Sequence, residues 1–225
     1  MADSDSYYSA DDVAAVAEML KQQSLAYDQL FENLAKQMYV ELQRSDSEGV
    51  GLSQCYQLAE QALSDFQQHF PSSGTLACHK GCAHCCHLRV ETPPQVVADI
   101  AAYIQSRFSP EELDQLRQRL AQYPQHPELA FEKPPCPLLD QNQQCSIYPR
   151  RPPSCRAFTS PDVELCIRSV KQGSQVPQQP ITVRVYQALT NALMAVAQQQ
   201  GAAQQITVQQ AALVPALRAA LGVEA

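Results

Sequence analysis

The stretch Cys78-His79-Lys80-Gly81-Cys82-Ala83-His84-Cys85-Cys86-His87 decides how this chain is read. It holds four thiols and three imidazoles in ten residues. Cysteines used as core filling stand among apolar neighbours, whereas these stand among His, Lys and Gly. In a reducing compartment, clustered cysteines read first as metal ligands. On a helix, the four thiols would share about 100° of arc; in an extended loop, adjacent Cys85 and Cys86 would point opposite ways and serve different partners. Spacing alone does not choose between the two.

Eight of the nine cysteines fall between Cys78 and Cys166. Downstream of the first group stand Cys136 (before Pro137-Leu138-Leu139-Asp140), Cys145 (before Ser146-Ile147-Tyr148-Pro149), Cys155 (before Arg156-Ala157-Phe158) and Cys166. Proline stiffens this region, so thiolates are presented with little entropy left to lose. Cys55 lies apart, sharing a helical face with Leu52, Leu58, Ala59 and Ala62, and reads as a core residue.

Around this centre the chain reads as a 225-residue globular protein with 45% hydrophobic and 17% charged residues. Its net charge of −7 argues against a nucleic-acid binder. No apolar run reaches membrane-spanning length, and the acidic start MADSDSYYSADD is unlike a signal peptide, so a cytoplasmic location without membrane contact is expected. Residues 1–77 carry twelve acidic and three basic side chains, and 78–225 carry eleven and thirteen; the break falls where the cysteines begin.

The fold expected is mainly α: a helical bundle around a loop-rich cysteine core, with at most a short β-hairpin near 136–148. Residues 1–75 form an acidic helical hairpin. Its first helix starts at Asp11 or Asp12 and repeats Val13, Val16, Leu20, Tyr27, Phe31, Leu34, Met38 and Leu42; its second runs from Ser53 to about His69, after a break at Gly49 and Gly51. This acidic hairpin offers a surface for a protein partner. Residues 76–172 form the metal-binding core, with helices from Pro94 to about Arg107, from Ser109-Pro110-Glu111-Glu112, and from Ser160-Pro161-Asp162. Residues 173–225 hold two Ala/Gln-rich helices, roughly 181–199 and 207–221.

The pattern C-x3-C-x2-C-C, followed by C-P-L-L-D, C-S-I-Y, R-P and C-R-x-F, resembles the bacterial YkgJ-like cysteine-cluster family of zinc- or iron-chelating domains. Cys78, Cys82, Cys85, Cys86, Cys136, Cys145, Tyr148, Arg151, Pro152, Cys155 and Arg156 carry the resemblance over about residues 76–160; Cys166 lies outside its core pattern. The resemblance implies metal binding by these thiols. It also points to flagellin lysine N-methylases, relatives whose flanking regions have no match here.

Zinc commonly takes four ligands in paired C-x2-C knuckles, and only Cys82–Cys85 has that spacing. Seven or eight thiols exceed one zinc site, and three close cysteines plus a remote one suit a [4Fe–4S] cluster, so an iron–sulfur cluster is favoured over zinc. All eight, Cys78 to Cys166, are candidate ligands. His79, His84 and His87 are candidates for ligation or for supporting hydrogen bonds. Lys80, Arg89, Arg150, Arg151 and Arg156 are placed to offset a negative centre or to donate to sulfur. The expected role is redox, sensing or metal handling. Two alternatives remain. One is a SAM-using or protein-lysine-methylating enzyme, whose three-cysteine spacing Cys78-x3-Cys82-x2-Cys85 shares, although neither βα repeats nor a glycine-rich segment accompany it. The other is a structural zinc domain for protein contacts.

Overall fold

The computed structural model describes residues 9–69, 76–79, 81–127 and 133–224. Eight helices account for most of it: α1 (Ala10–Arg44), α2 (Glu48–His69), α3 (Pro94–Arg107), α4 (Pro110–Gln122), α5 (Pro153–Ala157), α6 (Val163–Gln172), α7 (Pro180–Ala203) and α8 (Leu213–Ala220). The mainly helical expectation holds.

The local signals explain the boundaries. Ser9 caps α1 by accepting the Asp12 N–H, and Asp11 and Asp12 lie at its positive end. Ser109 and Glu112 form a reciprocal capping box, with Pro110 in the first turn of α4. At the third cap signal Asp162, not Ser160, caps α6. The Gly49/Gly51 break is not a break: α2 begins at Glu48 and runs through both. A Cβ on Gly51 would lie 2.9 Å from the Cβ of Ser45, so this glycine permits the close return of α2 onto the end of α1.

The helix expected over 207–221 starts late. Ala211–Ala212 (β2) instead pairs antiparallel with Glu91–Thr92 (β1), the two-stranded sheet of the fold. At 136–148 the expected hairpin is reduced to one bridge, Leu139 to Cys145.

Helix α7 packs along α1 and α2, α3 packs against α8, and their buried faces join in one core that includes Met38, Leu52, Ile100, Leu116, Leu189 and Leu217. Cys55 sits there fully buried, its thiol donating to the Met38 carbonyl at 3.4 Å. The α1 stripe divides in two. Phe31 and Met38 are buried, with Phe31 stacked on Phe66 of α2, whereas Val13, Val16, Leu20 and Tyr27 continue the same face into solvent. No helix among the described residues is long and apolar enough to cross a membrane.

Candidate metal centre

Three stretches of chain carry the cysteines. The first ends in a 3-10 turn over His84–His87, reached through a bend at Gly81, whose φ of +87° favours glycine. Successive residues of a 3-10 turn step by about 120°, so Cys85 and Cys86 leave the backbone in different directions. Neither the one-face helix nor the extended loop describes this stretch.

The second stretch folds back at Asp140, whose carboxylate accepts the N–H groups of Asn142 and Gln144 at 2.8 Å each. Cys136 and Cys145 stand at the open end of this loop. The backbone N–H groups two residues on, of Leu138 and Ile147, act to lower the Cys136 and Cys145 thiols respectively. In the third stretch, Pro152 and Pro153 open α5, which carries Cys155. Helix α6 carries Cys166 and packs against the 3-10 turn.

Backbone bonds tie the stretches together. The Cys136 N–H donates to the Cys86 carbonyl at 2.7 Å, and the Ala77 N–H to the Ser160 carbonyl at 2.9 Å. The Ser160 N–H points at the Cys78 sulfur from 3.4 Å.

The thiols share one electrostatic environment. Burial pushes Cys136 up to about 11 and raises Cys145 and Cys155, with Cys85 adding to each. The hydrogen bond between Cys85 and Cys86 lowers the first thiol and raises the second. Cys166 is raised by burial and then by Cys78, Cys82 and Cys85. Arg151 opposes these effects, lowering Cys85, Cys145 and Cys155.

Arg151 is held for this position. Its carbonyl accepts from the Tyr56 hydroxyl at 3.0 Å and from the Arg156 Nε at 3.1 Å, and its guanidinium lies 3.8 Å over the Tyr148 ring. Its own Nε is buried and has no hydrogen-bond partner among the described residues. A buried donor without an acceptor is costly unless a partner arrives, and a metal–thiolate centre would bring negative sulfur to it.

No group of three or more His, Cys, Asp or Glu side chains among the described residues stands ready to hold a metal ion. The thiols are gathered without forming a closed shell. As a donor set they nevertheless fit zinc or iron: all are free, backbone N–H groups point at sulfur, and an unpartnered guanidinium N–H stands beside them. Cys136 also forms part of the wall of a cavity of about 280 Å³ lined by Leu88, Val90, Pro124 and Leu213.

The other candidate cations are engaged elsewhere. Arg156 was expected to offset the centre or donate to sulfur. Its donors reach the Arg151 and Pro149 carbonyls and Glu60, and it covers the Tyr56 ring at 4.2 Å, so it is a tether between α2 and the loop. Arg150 pairs with Asp99 at 3.5 Å and Arg89 with Glu91 at 3.3 Å, while Lys80 lies outside the described residues. His79 and His87 place Nδ1 on the carbonyls of Ala77 and Lys133, at 2.9 and 2.8 Å. Ser160 and Tyr56 were missed. One reads in sequence as a helix start and the other as a helix-face aromatic, and neither carries a local sign of its role.

Residues 77–179 match the model of the CxxCxxCC family, described as a "putative zinc- or iron-chelating domain". The match takes in all eight clustered cysteines, Cys166 included. No curated protein and no solved structure matches the chain.

Proposed function

We propose, from the match of residues 77–179 to a zinc- or iron-chelating domain, that the chain is an iron–sulfur protein whose cluster serves a redox or sensing role. The observation that carries the reading is Arg151: a guanidinium with a buried Nε unpartnered among the described residues, which adds to the lowering of Cys85 and opposes the rise that burial gives Cys145 and Cys155. A permanent cation beside thiols that burial otherwise keeps protonated favours their thiolate form.

Cys78, Cys82, Cys85, Cys86, Cys136, Cys145, Cys155 and Cys166 are the proposed ligands. When bound, the cluster would supply one-electron chemistry with a potential set by charge and by hydrogen bonds to sulfur. The chain's own part is to hold the thiols, to aim the Ser160 N–H at the Cys78 sulfur, and to set the Leu138 and Ile147 N–H groups where they favour the thiolates of Cys136 and Cys145. Those donors stabilise negative sulfur and raise the potential of a centre they touch.

The test is a redox titration of anaerobically purified protein, followed by visible absorption. The reading expects a coloured protein that bleaches on reduction and recovers on reoxidation. A colourless, zinc-loaded protein with no redox transition would replace it with a structural zinc domain.

A further inference from the structure

Helix α1 outruns the bundle it belongs to. From Phe31 onward its apolar face is covered: Phe31 stacks on Phe66 near the end of α2, and Arg184, early in α7, pairs with Asp28 and lies 5.2 Å over the Phe31 ring. Helix α2 ends at His69 and α7 begins at Pro180, so both covering helices stop near this level. Towards the N-terminus every residue over 10–30 is exposed, about 30 Å of helix.

The bare part repeats the seam of the buried part. Val13, Ala17, Leu20, Ser24 and Tyr27 stand alternately four and three residues apart and run on in the same phase into Phe31, Leu34 and Met38. Val13, Val16, Leu20 and Tyr27 are all exposed. A helix of this length is marginal in water on its own and draws its stability from burying an apolar face. A row of exposed apolar side chains in heptad phase marks the surface on which that burial takes place.

We propose that the covering surface is the same segment of a second copy, laid antiparallel, so that the chain forms a two-fold dimer through residues 10–30 of α1. The fold excludes the parallel arrangement. The face that Val13, Leu20 and Tyr27 present is the one that α2 and α7 occupy from Phe31 on, so parallel copies would drive two cores into the same space. They would also set Asp11, Asp12 and Glu18 against their own counterparts. Run antiparallel, each extension ends where the α2 and α7 of the other copy stop, and the seam offered equals in length the seam left bare. Overlap of 10–30 with itself centres on Leu20, sets Val13 against Tyr27, and brings Asp12 of the second copy to the level of Asp28. Charge is complementary there. Arg184 is partly exposed at that level, with its Nε buried and unpartnered among the described residues. Gln179 gives α7 no side-chain cap, and the first turn of α7 holds no acidic residue. The incoming Asp11 and Asp12 supply the negative charge that this cation and helix end favour.

The experiment measures the mass of the full-length protein, purified without oxygen, by light scattering over a series of concentrations. The expected result is twice the chain mass of 24.9 kDa, falling towards one chain on dilution. Val13→Glu/Leu20→Glu is expected to have the mass of one chain with its metal content unchanged, because neither position touches the core. A wild type of single-chain mass at every concentration would give the face to a different protein and overturn the proposal. A dimer that survives in the double variant would overturn it too.

Should the double variant fail to fold, a photoreactive benzophenone side chain at position 13 of the otherwise unchanged protein still decides. Irradiation is expected to yield a cross-linked dimer whose junction peptides join position 13 to the surroundings of Tyr27 in the other copy. Junctions that join position 13 to its own counterpart, or no cross-linked dimer, would overturn the antiparallel pairing.

Discussion

The backbone N–H of Cys136 donates to the carbonyl of Cys86 at 2.7 Å, joining two cysteine stretches far apart in sequence. The bond brings the base of the folded-back loop against the 3-10 turn before any metal is considered. Metal binding then has a prepared meeting place but no finished shell, because no three ligand-type side chains among the described residues are already set around an ion. Closing that shell adds binding energy to the folding of this region.

Arg151 should matter more to the metal than to the fold. Arg151→Met keeps much of the side-chain stem and removes the cation beside Cys85, Cys145 and Cys155. Loss of a group supporting the ligands weakens metal affinity by about 10–100-fold. Competition with a chelator at fixed pH measures it, and Arg151→Lys is expected to fall between the two because it restores charge without the planar fork.

Arg156 should show the opposite balance. It bonds the Arg151 and Pro149 carbonyls and Glu60, so Arg156→Ala removes a buried tether between α2 and the metal loop. Glu60 is exposed, and the ion pair itself adds little. The carbonyl bonds to a charged donor are worth about 2–3 kcal/mol, read from urea unfolding of the metal-loaded protein.

Gly201→Ala tests packing at the end of α7. Alanine is the better helix former by about 1 kcal/mol. Here, however, its Cβ would lie 2.5 Å from Val208 Cγ2 and 2.6 Å from the Ile206 carbonyl oxygen. The clash outweighs the propensity, and a net loss of about 1–2 kcal/mol is expected in the same unfolding measurement.

The alkaline limb of stability should contain Cys55. Burial, with a smaller push from Glu41, raises its thiol from 9.0 to about 12. The folded state therefore holds this proton longer than the unfolded state. Its contribution is complete below pH 9 and is lost as pH rises towards 12. Urea midpoints of the metal-loaded protein at several pH values across this range should fall for the wild type and fall less for Cys55→Ala.

Much of this was legible in the sequence because the signals were local. Ser109 with Glu112 announced a capping box, Cys55 shared a face with Leu52 and Ala59, and the cysteine pattern carried the resemblance to the chelating domain that residues 77–179 match. What failed depended on tertiary contact. Gly51 looked like a breaker because its purpose, room for Ser45, lies in the neighbouring helix. The segment 207–212 looked helical until β2 found β1. Arg151 and Arg156 flank the same cysteine. The returning α2, with Tyr56 and Glu60, makes Arg156 a tether, while the Nε of Arg151 stays buried without a partner among the described residues. Ser160 gave no hint that its N–H would point at Cys78.

The central claim is that these thiols hold an iron–sulfur centre, and the most direct measurement is the iron and sulfide content of the full-length protein purified without oxygen. The account predicts iron and sulfide in equal amounts, with a broad absorption near about 400 nm from thiolate-bound iron. Protein that carries neither iron nor sulfide, whether loaded with zinc or free of metal, would contradict it.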